Sequence, residues 1–404
     1  MGQRVFEGIK VADFSWSIVG PLMAKCLAEH GAEVVHIEST IHPDSLRTFR
    51  PYKDDVPGLN RAPVAAIWNN DKYGVTLNLD NPRGIEVAKR IVAWADIVLE
   101  SFTPGMMARW GLSYEELREI KPDIIMISTC NQGQTGPHAQ TPGYGLHLAA
   151  LCGFDHLLGW PDRDPVLLSI AYTDPIAPHF GAAALIAALD YRRRTGKGQY
   201  LDLAQYEVGL QFIAPLILDY AVNGRVANRL GNRCPYAAPH GAYPCLGDDR
   251  WCNIAVFTDE EWEAFCKVMG NPDWAKEPRF STLQGRKANE DDLDRLVGEW
   301  TSNFTAEQLM AMLQAIGVSA GVVQTIEDIY QDPQLKHRHC FWELEHREMG
   351  KHYYEAPAFK LSKTPAMLRR GGPCLGEHNE YFYTKILGIP DEEFIELLKE
   401  GVFE

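Results

Sequence analysis

The sequence predicts a two-part α/β protein: a large domain built on a parallel sheet, and a smaller α/β domain further along the chain. Three observations predict it. The first third alternates short β-branched apolar runs with helical stretches of about ten to fifteen residues, the pattern of strands joined by crossover helices. Those runs are apolar on nearly every residue, as strands covered on both faces are. The chain has 404 residues, too many for one ordinary core.

Residues 9–14 read as the first strand, followed by a loop over 15–19 and a helix from Gly20-Pro21 to His30, stopped by Gly31. Residues 33–38, Glu-Val-Val-His-Ile-Glu, form the next strand, with a β-branched centre. Asn81-Pro82 opens a helix through Trp94, and 96–100 is a strand. A helix over 106–120 leads to a strand over 123–128. A small-residue helix is expected over 176–189, a strand over 200–203 and one long helix over 205–222. Between Asn223 and Pro244 glycine, proline and asparagine become frequent, which marks a boundary or a functional loop; Asn232 and His240 lie in it. The smaller domain then offers a strand at 251–256, helices at 259–269 and 289–316, and a strand-like return at 317–323. From Pro333 the chain is mixed, with a closing helix over 391–400.

The early segments have the order of a Rossmann-like unit, but the first turn, Ser17-Ile18-Val19-Gly20-Pro21, holds one glycine and lacks the dinucleotide fingerprint. NAD binding is therefore not expected. The net charge of −15 argues against sequence-nonspecific nucleic-acid binding, which needs a basic face. The first ten residues carry no apolar core of signal-peptide length, and no apolar run is long enough to span a membrane. Nine scattered cysteines without a C-x-x-C argue against a disulfide framework or zinc site. The expectation is a cytoplasmic protein without a metal; His337, His339 and Cys340 read as a helix end.

Asp174 is the first candidate for chemistry. It stands just before a small-residue helix, in Tyr172-Thr173-Asp174-Pro175. Asp followed by Pro is a favoured helix start, so a capping role explains it locally. A carboxylate at the mouth of a buried helix also suits a covalent nucleophile, and the two readings are compatible. Ser101 and Phe102 follow the C-terminal end of a predicted strand, where ligands sit in such sheets. The run Arg192-Arg193-Arg194 reads as a helix C-terminus.

Several segments together carry a resemblance: Asp13-Phe14 with Gly20-Pro21; Leu27 to Glu38; Asn70-Asp71-Lys72 with Leu77-Asn78-Leu79-Asp80; Phe102-Thr103-Pro104-Gly105 with Gly111-Leu112; Thr195 to Gln199 with Asp202; and Gly376-Glu377-His378. In this order and spacing the chain resembles the class III CoA transferases, the CaiB/BaiF family, over essentially its whole length. The resemblance implies ring-shaped monomers interlocked in a dimer. Residues 1–224 would form the N-terminal part of a Rossmann-like large domain, 225–330 the small domain, and 331–404 a linker and a return to the large domain. It implies CoA transfer between an acyl-CoA donor and a carboxylic acid, with CoA as substrate and no tightly bound cofactor. Asp174 would be the nucleophile, passing through an acyl anhydride and an aspartyl-CoA thioester. Lys72 would reach the CoA phosphates, Arg109 the nucleotide, and Ile18, Val19, Ser101 and Phe102 the rest of CoA. Trp16, Tyr144 and His147 would line the acid's pocket; a bulky or aromatic acid such as benzylsuccinate, with succinyl-CoA as donor, is one expectation.

The pattern has departures. Ser39 and Pro142 stand where relatives carry basic residues, and Arg47 or Arg50 is a candidate replacement. Racemase relatives pair a histidine with the aspartate; here Tyr144 holds that position and His147 lies three residues on. An acyl-CoA racemase or isomerase is therefore the alternative, and it would lack one base. A noncatalytic paralogue would be expected to have lost the aspartate. The partner is expected to be a second copy, with a related subunit as the other possibility.

Overall fold

The structure, a computed structural model, describes residues 4–404; residues 1–3, part of the stretch read for a signal peptide, lie outside the described residues. The chain divides into two compact units. One comprises the chain to Phe154, Leu168–Arg225 and Lys336–Glu404; the other comprises Asp155–Leu167 and Val226–Leu335.

The first unit is built on six parallel strands: β1 Lys10–Asp13, β2 Glu33–Glu38, β3 Tyr73–Thr76, β4 Ile97–Glu100, β5 Ile125–Cys130 and β6 Tyr200–Ala204. Their order is β3-β2-β1-β4-β5-β6, the doubly wound arrangement expected. Successive residues of each strand point to opposite faces. Val11, Val34, Ile97, Leu99, Ile125 and Ile127 join one core with Met23, Leu27 and Leu185 from the helices Val19–Glu29 and Thr173–Thr195. Ala12, Val35, Val98 and Met126 join the other core with Val87 and Ile91 of the helix Pro82–Trp94. Burial on both faces is why β1, β2, β4 and β5 read as nearly continuous apolar runs, whereas the edge strand β6 exposes Tyr200 and Asp202.

The edge strand β3 was not evident in the sequence, being four residues long with a glycine inside. Gly74 is required there, because a Cβ would come within 2.6 Å of Pro373. The C-terminal return covers this edge: the Gly74 N–H donates to His378 Nδ1 at 3.1 Å, and the Thr76 N–H donates to Asn379 Oδ1 at 2.8 Å. A sheet edge is thereby closed to other chains. A hairpin follows elsewhere in this unit; numbered in chain order after the three strands of the second unit, it comprises β10 Phe341–His346 and β11 Gly350–Glu355.

Three helices expected as continuous are broken. The 106–120 stretch splits into Met106–Arg109 and Tyr114–Ile120, because Gly111 turns at φ +66° and Ser113 starts a new helix with a capping box to Glu116. The 205–222 stretch breaks at Ile213, with Pro215 at the start of Ala214–Asn223. In the second unit the 289–316 stretch divides into Glu290–Thr301 and Ala306–Gln314, where Thr305 and Gln308 form a capping box. That unit carries the antiparallel sheet β7 His240–Pro244, β8 Trp251–Ala255 and β9 Ser319–Val322. Its core gathers Tyr243, Ile254, Trp262, Phe265, Phe280 and Leu309.

Candidate active site

The chain order of the first sheet reverses between β1 and β4. In open α/β sheets ligands bind beyond the strand ends at that switch point. A cavity of about 520 Å³ lies there. Its walls are the loop after β1 (residues 16–19), the loop after β4 (101–104), the end of β5 (129–131), the segment 139–145, Asp174 and Gln205.

Asp174 lies in the first turn of the 23-residue helix Thr173–Thr195. It is not the helix cap: that position is Tyr172, and no side chain bonds to the helix start. The capping explanation from sequence is thus corrected, since the helix begins one residue before the aspartate. Asp174 is 9% exposed, and among the described residues no hydrogen bond to its carboxylate is formed. Burial pushes its pKa up to about 6. A buried carboxylate without donors is costly, and such groups concentrate where chemistry is done. The helix N-terminus beside it favours negative charge. Gly145 meets it on the other side: a Cβ there would lie 2.3 Å from Asp174 Oδ1.

Seven of the ten expected site residues line the cavity: Trp16, Ile18, Val19, Ser101, Phe102, Tyr144 and Asp174. Trp16 and Phe102 meet edge to face at 5.3 Å. Tyr144 is 74% exposed, at the rim. The Ser101 hydroxyl is engaged by Trp16, accepting from its N–H at 2.9 Å and donating to its carbonyl at 3.0 Å. Three residues lie outside the lining. His147 is exposed and accepts the Tyr144 N–H at 3.3 Å, so it tethers the start of the helix Gly145–Leu151. Arg109 is exposed at the end of its short helix.

Lys72 is fully buried. Its ammonium donates at 2.8 Å to each of Asp13 Oδ2, the Pro21 carbonyl and Asn69 Oδ1. All three protons are engaged, so as placed it offers none to a phosphate. Burial pushes the Asp13 carboxyl up, but Lys72 and His36 overcome this and hold it well below the usual range. Lys72→Met is therefore expected to destabilise the fold by about 3–5 kcal/mol, by removing the ammonium that balances the buried Asp13 carboxylate and leaving His36 and Ser15 as its remaining partners. Urea unfolding monitored by circular dichroism checks this. Arg47 is likewise turned inward, on both oxygens of Glu38 at 2.7 and 2.5 Å, so it does not replace a missing CoA contact; Arg50 is exposed.

Sequence reasoning missed Ser17, Thr129, Asn131, Gly145 and Gln205. Asn131 and Gln205 flank the ends of β5 and β6, so the strand-end rule that found Ser101 reaches them once the sheet order is known. Asn131 holds the 139–145 wall by donating to the Gly143 carbonyl at 2.8 Å.

Comparison with known proteins agrees along nearly the full length. The model of the CoA-transferase family III matches residues 6–379. The succinyl-CoA–D-citramalate CoA-transferase of Chloroflexus aurantiacus is 33% identical over 403 residues, 99% of this chain and 98% of that protein. The beta subunit of the succinyl-CoA–L-malate CoA-transferase of the same organism is 31% identical, over 98% of this chain and 97% of that protein. The human succinyl-CoA:glutarate CoA-transferase is 27% identical, over 99% and 90%. A crystal structure of a CaiB/BaiF family protein from Brucella suis superposes with a TM-score of 0.87 at 30% identity, covering 95% of this chain and 100% of that one. Matched in sequence and in fold from end to end, the chain belongs to CoA-transferase family III and is a CoA-transferring enzyme.

Proposed function

We propose that the enzyme moves CoA from succinyl-CoA to a dicarboxylic acid by covalent catalysis at Asp174. The observation that carries this reading is the buried Asp174 carboxylate, facing the cavity without a hydrogen-bond donor. A desolvated carboxylate is a better nucleophile than a hydrated one, and it faces no competing internal partner.

The Asp174 oxygen attacks the thioester carbonyl carbon; the C–S bond breaks, giving an acyl-aspartyl anhydride and CoA thiolate. The thiolate attacks the Asp174 carbonyl carbon and expels the donor acid, leaving an aspartyl-CoA thioester. The acceptor carboxylate attacks that carbonyl, forming a second anhydride and freeing the thiolate. The thiolate then takes the acceptor's acyl carbon and restores the Asp174 carboxylate. No proton is gained or lost, which fits the lining: it contains no histidine and no second carboxylate among the described residues. A racemase would need a second base there. In this reading Ile18, Val19 and Phe102 contact CoA, and exposed Arg109 meets its nucleotide.

Succinyl-CoA is in the names of the three relatives, which pair it with citramalate, malate and glutarate. A short aliphatic dicarboxylate is accordingly the acceptor we favour. The aromatic side chains of Trp16, Phe102 and Tyr144 favour a second reading, a bulky acid such as benzylsuccinate. A panel of acids with succinyl-CoA decides between them. The helix Ala214–Asn223 has no buried residue and exposes Leu218, Tyr220 and Val222, apolar surface that supports burial against a second subunit; the interlocked form of that dimer rests on the family resemblance. Two relatives are named as alpha and beta subunits, so light scattering of the purified chain alone tests whether copies of it suffice. Among the described residues no helix is long and apolar enough to cross a membrane.

The test of the mechanism is trapping. Protein incubated with succinyl-CoA and then treated with hydroxylamine or borohydride is expected to carry the modification on the peptide containing Asp174. A label on another residue, or α-proton exchange with no label, would overturn it. The pH profile gives a second check. The attacking form is the carboxylate, and burial sets its pKa at about 6. The rate of adduct formation is expected to be full above that pH and to fall tenfold per pH unit well below it.

A further inference from the structure

We infer that Asp44 is a positioning residue for acyl-CoA binding, its carboxylate holding the loop over residues 15–19 in the shape that walls the cavity. This rests on the Asp174-centred reading above and adds a residue remote from the reacting atoms.

Ser17, on that loop, sits at φ +65°, in the left-handed region that a serine enters at a cost. Its N–H is held by both oxygens of the Asp44 carboxylate, at 3.0 and 2.9 Å. The same carboxylate accepts the Leu46 N–H at 3.0 Å, so it ties the loop to the short turn Ser45–Thr48. The loop's other parts are fixed separately. Ser101 holds the Trp16 backbone, the Trp16 indole N–H donates to the Ile37 carbonyl at 3.0 Å, and Lys72 holds Pro21. Ser17 is the strained residue among them, and Asp44 holds it.

Asp44 is 1% exposed and does not line the cavity, so its effect on a ligand is transmitted through the loop. The charged groups around it are Glu38, His36, Arg47 and Lys72. Burial, then Glu38, push its pKa up to about 6, which leaves it ionised at neutral pH. An ionised acceptor grips an N–H more strongly than a neutral one. His36, Glu38 and Asp44 place ligand atoms within 4.8 Å of one another, as a metal site would. Here Arg47 already occupies both Glu38 oxygens and the Ser17 N–H both Asp44 oxygens, so the cluster serves the loop.

The test compares the full-length protein with Asp44→Asn and Asp44→Ala. Steady-state rates are measured against succinyl-CoA and against the acid, because in a two-step exchange each kcat/KM reports its own half-reaction. Losing the charge-assisted bonds is expected to lower kcat/KM for succinyl-CoA by roughly tenfold in the asparagine variant and more in the alanine variant, through KM. The acid's kcat/KM is expected to hold within about twofold, since the aspartyl-CoA half is already bound. Hydrogen exchange of the amides over 15–19 is expected to quicken while the six-stranded sheet stays protected. A fall in kcat with KM unchanged, in step with a lower melting temperature, would reduce Asp44 to a structural role. Wild-type constants in both variants would also overturn the inference. If the alanine variant fails to fold, the asparagine variant, of equal size and with one acceptor oxygen, carries the comparison. Trapping at Asp174 in the wild type separates the failures: a label with unaltered Asp44 variants sinks the inference alone. No wild-type label sinks the reading and the inference with it.

Discussion

Asp174→Asn is expected to abolish CoA transfer, lowering kcat by roughly four orders of magnitude or more, because removing a covalent nucleophile removes the route itself. The amide nearly matches the carboxylate in size, so packing around the helix Thr173–Thr195 survives. The covalent label should vanish with the activity. Retained transfer would end the covalent reading. The same variant makes a stability prediction of opposite sign. The carboxyl's pKa is raised from 3.8 to about 6 in the folded protein, so the fold binds the proton more tightly than the unfolded chain does. The penalty is therefore absent below about pH 3.8 and complete above about pH 6. At 1.36 kcal/mol per unit it amounts to up to about 3 kcal/mol. Asp174→Asn should thus be more stable than the wild type at pH 8 and equal to it near pH 3.5, as denaturant melts at the two pH values will show. Such a cost to the fold is what the proposed role of Asp174 would entail.

The second large effect is expected at Gly145. Its backbone is not in the left-handed region, so alanine brings no conformational strain there. The whole consequence of Gly145→Ala falls on its neighbours. The added Cβ would lie 2.3 Å from Asp174 Oδ1 and 2.5 Å from Ala171 Cβ, and neither distance is tolerable. The aspartate side chain must turn or the 139–145 segment must withdraw. A displacement near 1 Å at a reacting group costs on the order of a hundredfold in rate. We expect that loss in the rate of adduct formation, with stability changed far less than by a core substitution. Single-turnover kinetics beside a melting curve measures both. An alanine variant with wild-type kinetics would mean that Asp174 reacts from another rotamer.

Four of the six strands of the large sheet, β1, β2, β4 and β5, are visible in the sequence because they are buried on both faces, and burial writes continuous apolar runs; the edge strand β6 shows instead as the alternation Tyr200-Leu201-Asp202-Leu203, with Tyr200 and Asp202 exposed. β3 was not visible, since its four residues owe their place to His378 and Asn379, some three hundred residues away. Helix breaks were underestimated where a new cap begins directly after a stop, as at Gly111-Leu112-Ser113 and before Thr305. That Asp174 stands on a cavity wall was foreshadowed by its setting before a small-residue helix and by its family position. Lys72 shows the opposite limit. A lysine in a recognisable motif reads as a phosphate contact, and only the three-dimensional neighbours reveal an ion pair turned inward. Gly145 gave no local signal, because its role is to leave space for a residue 29 positions later.

The helix bearing Asp174 is anchored far from the cavity as well as beside it. Near its other end Arg192 pairs with Asp96 at 3.1 Å, and midway Gly181 lets Met23 lie against the helix backbone. The segment over 139–145, which faces the same cavity, forms no strand and begins its helix only at Gly145. In the proposed reading, chemistry falls to a helix anchored along its length and choice of acid to an irregular segment. Mutation can remodel the loop while the bond-making group stays fixed, the arrangement in which a lineage changes its substrates and keeps its reaction. Relatives that share about a third of their residues with this chain, and bear the names of different acids, are the outcome such a division of labour would leave behind.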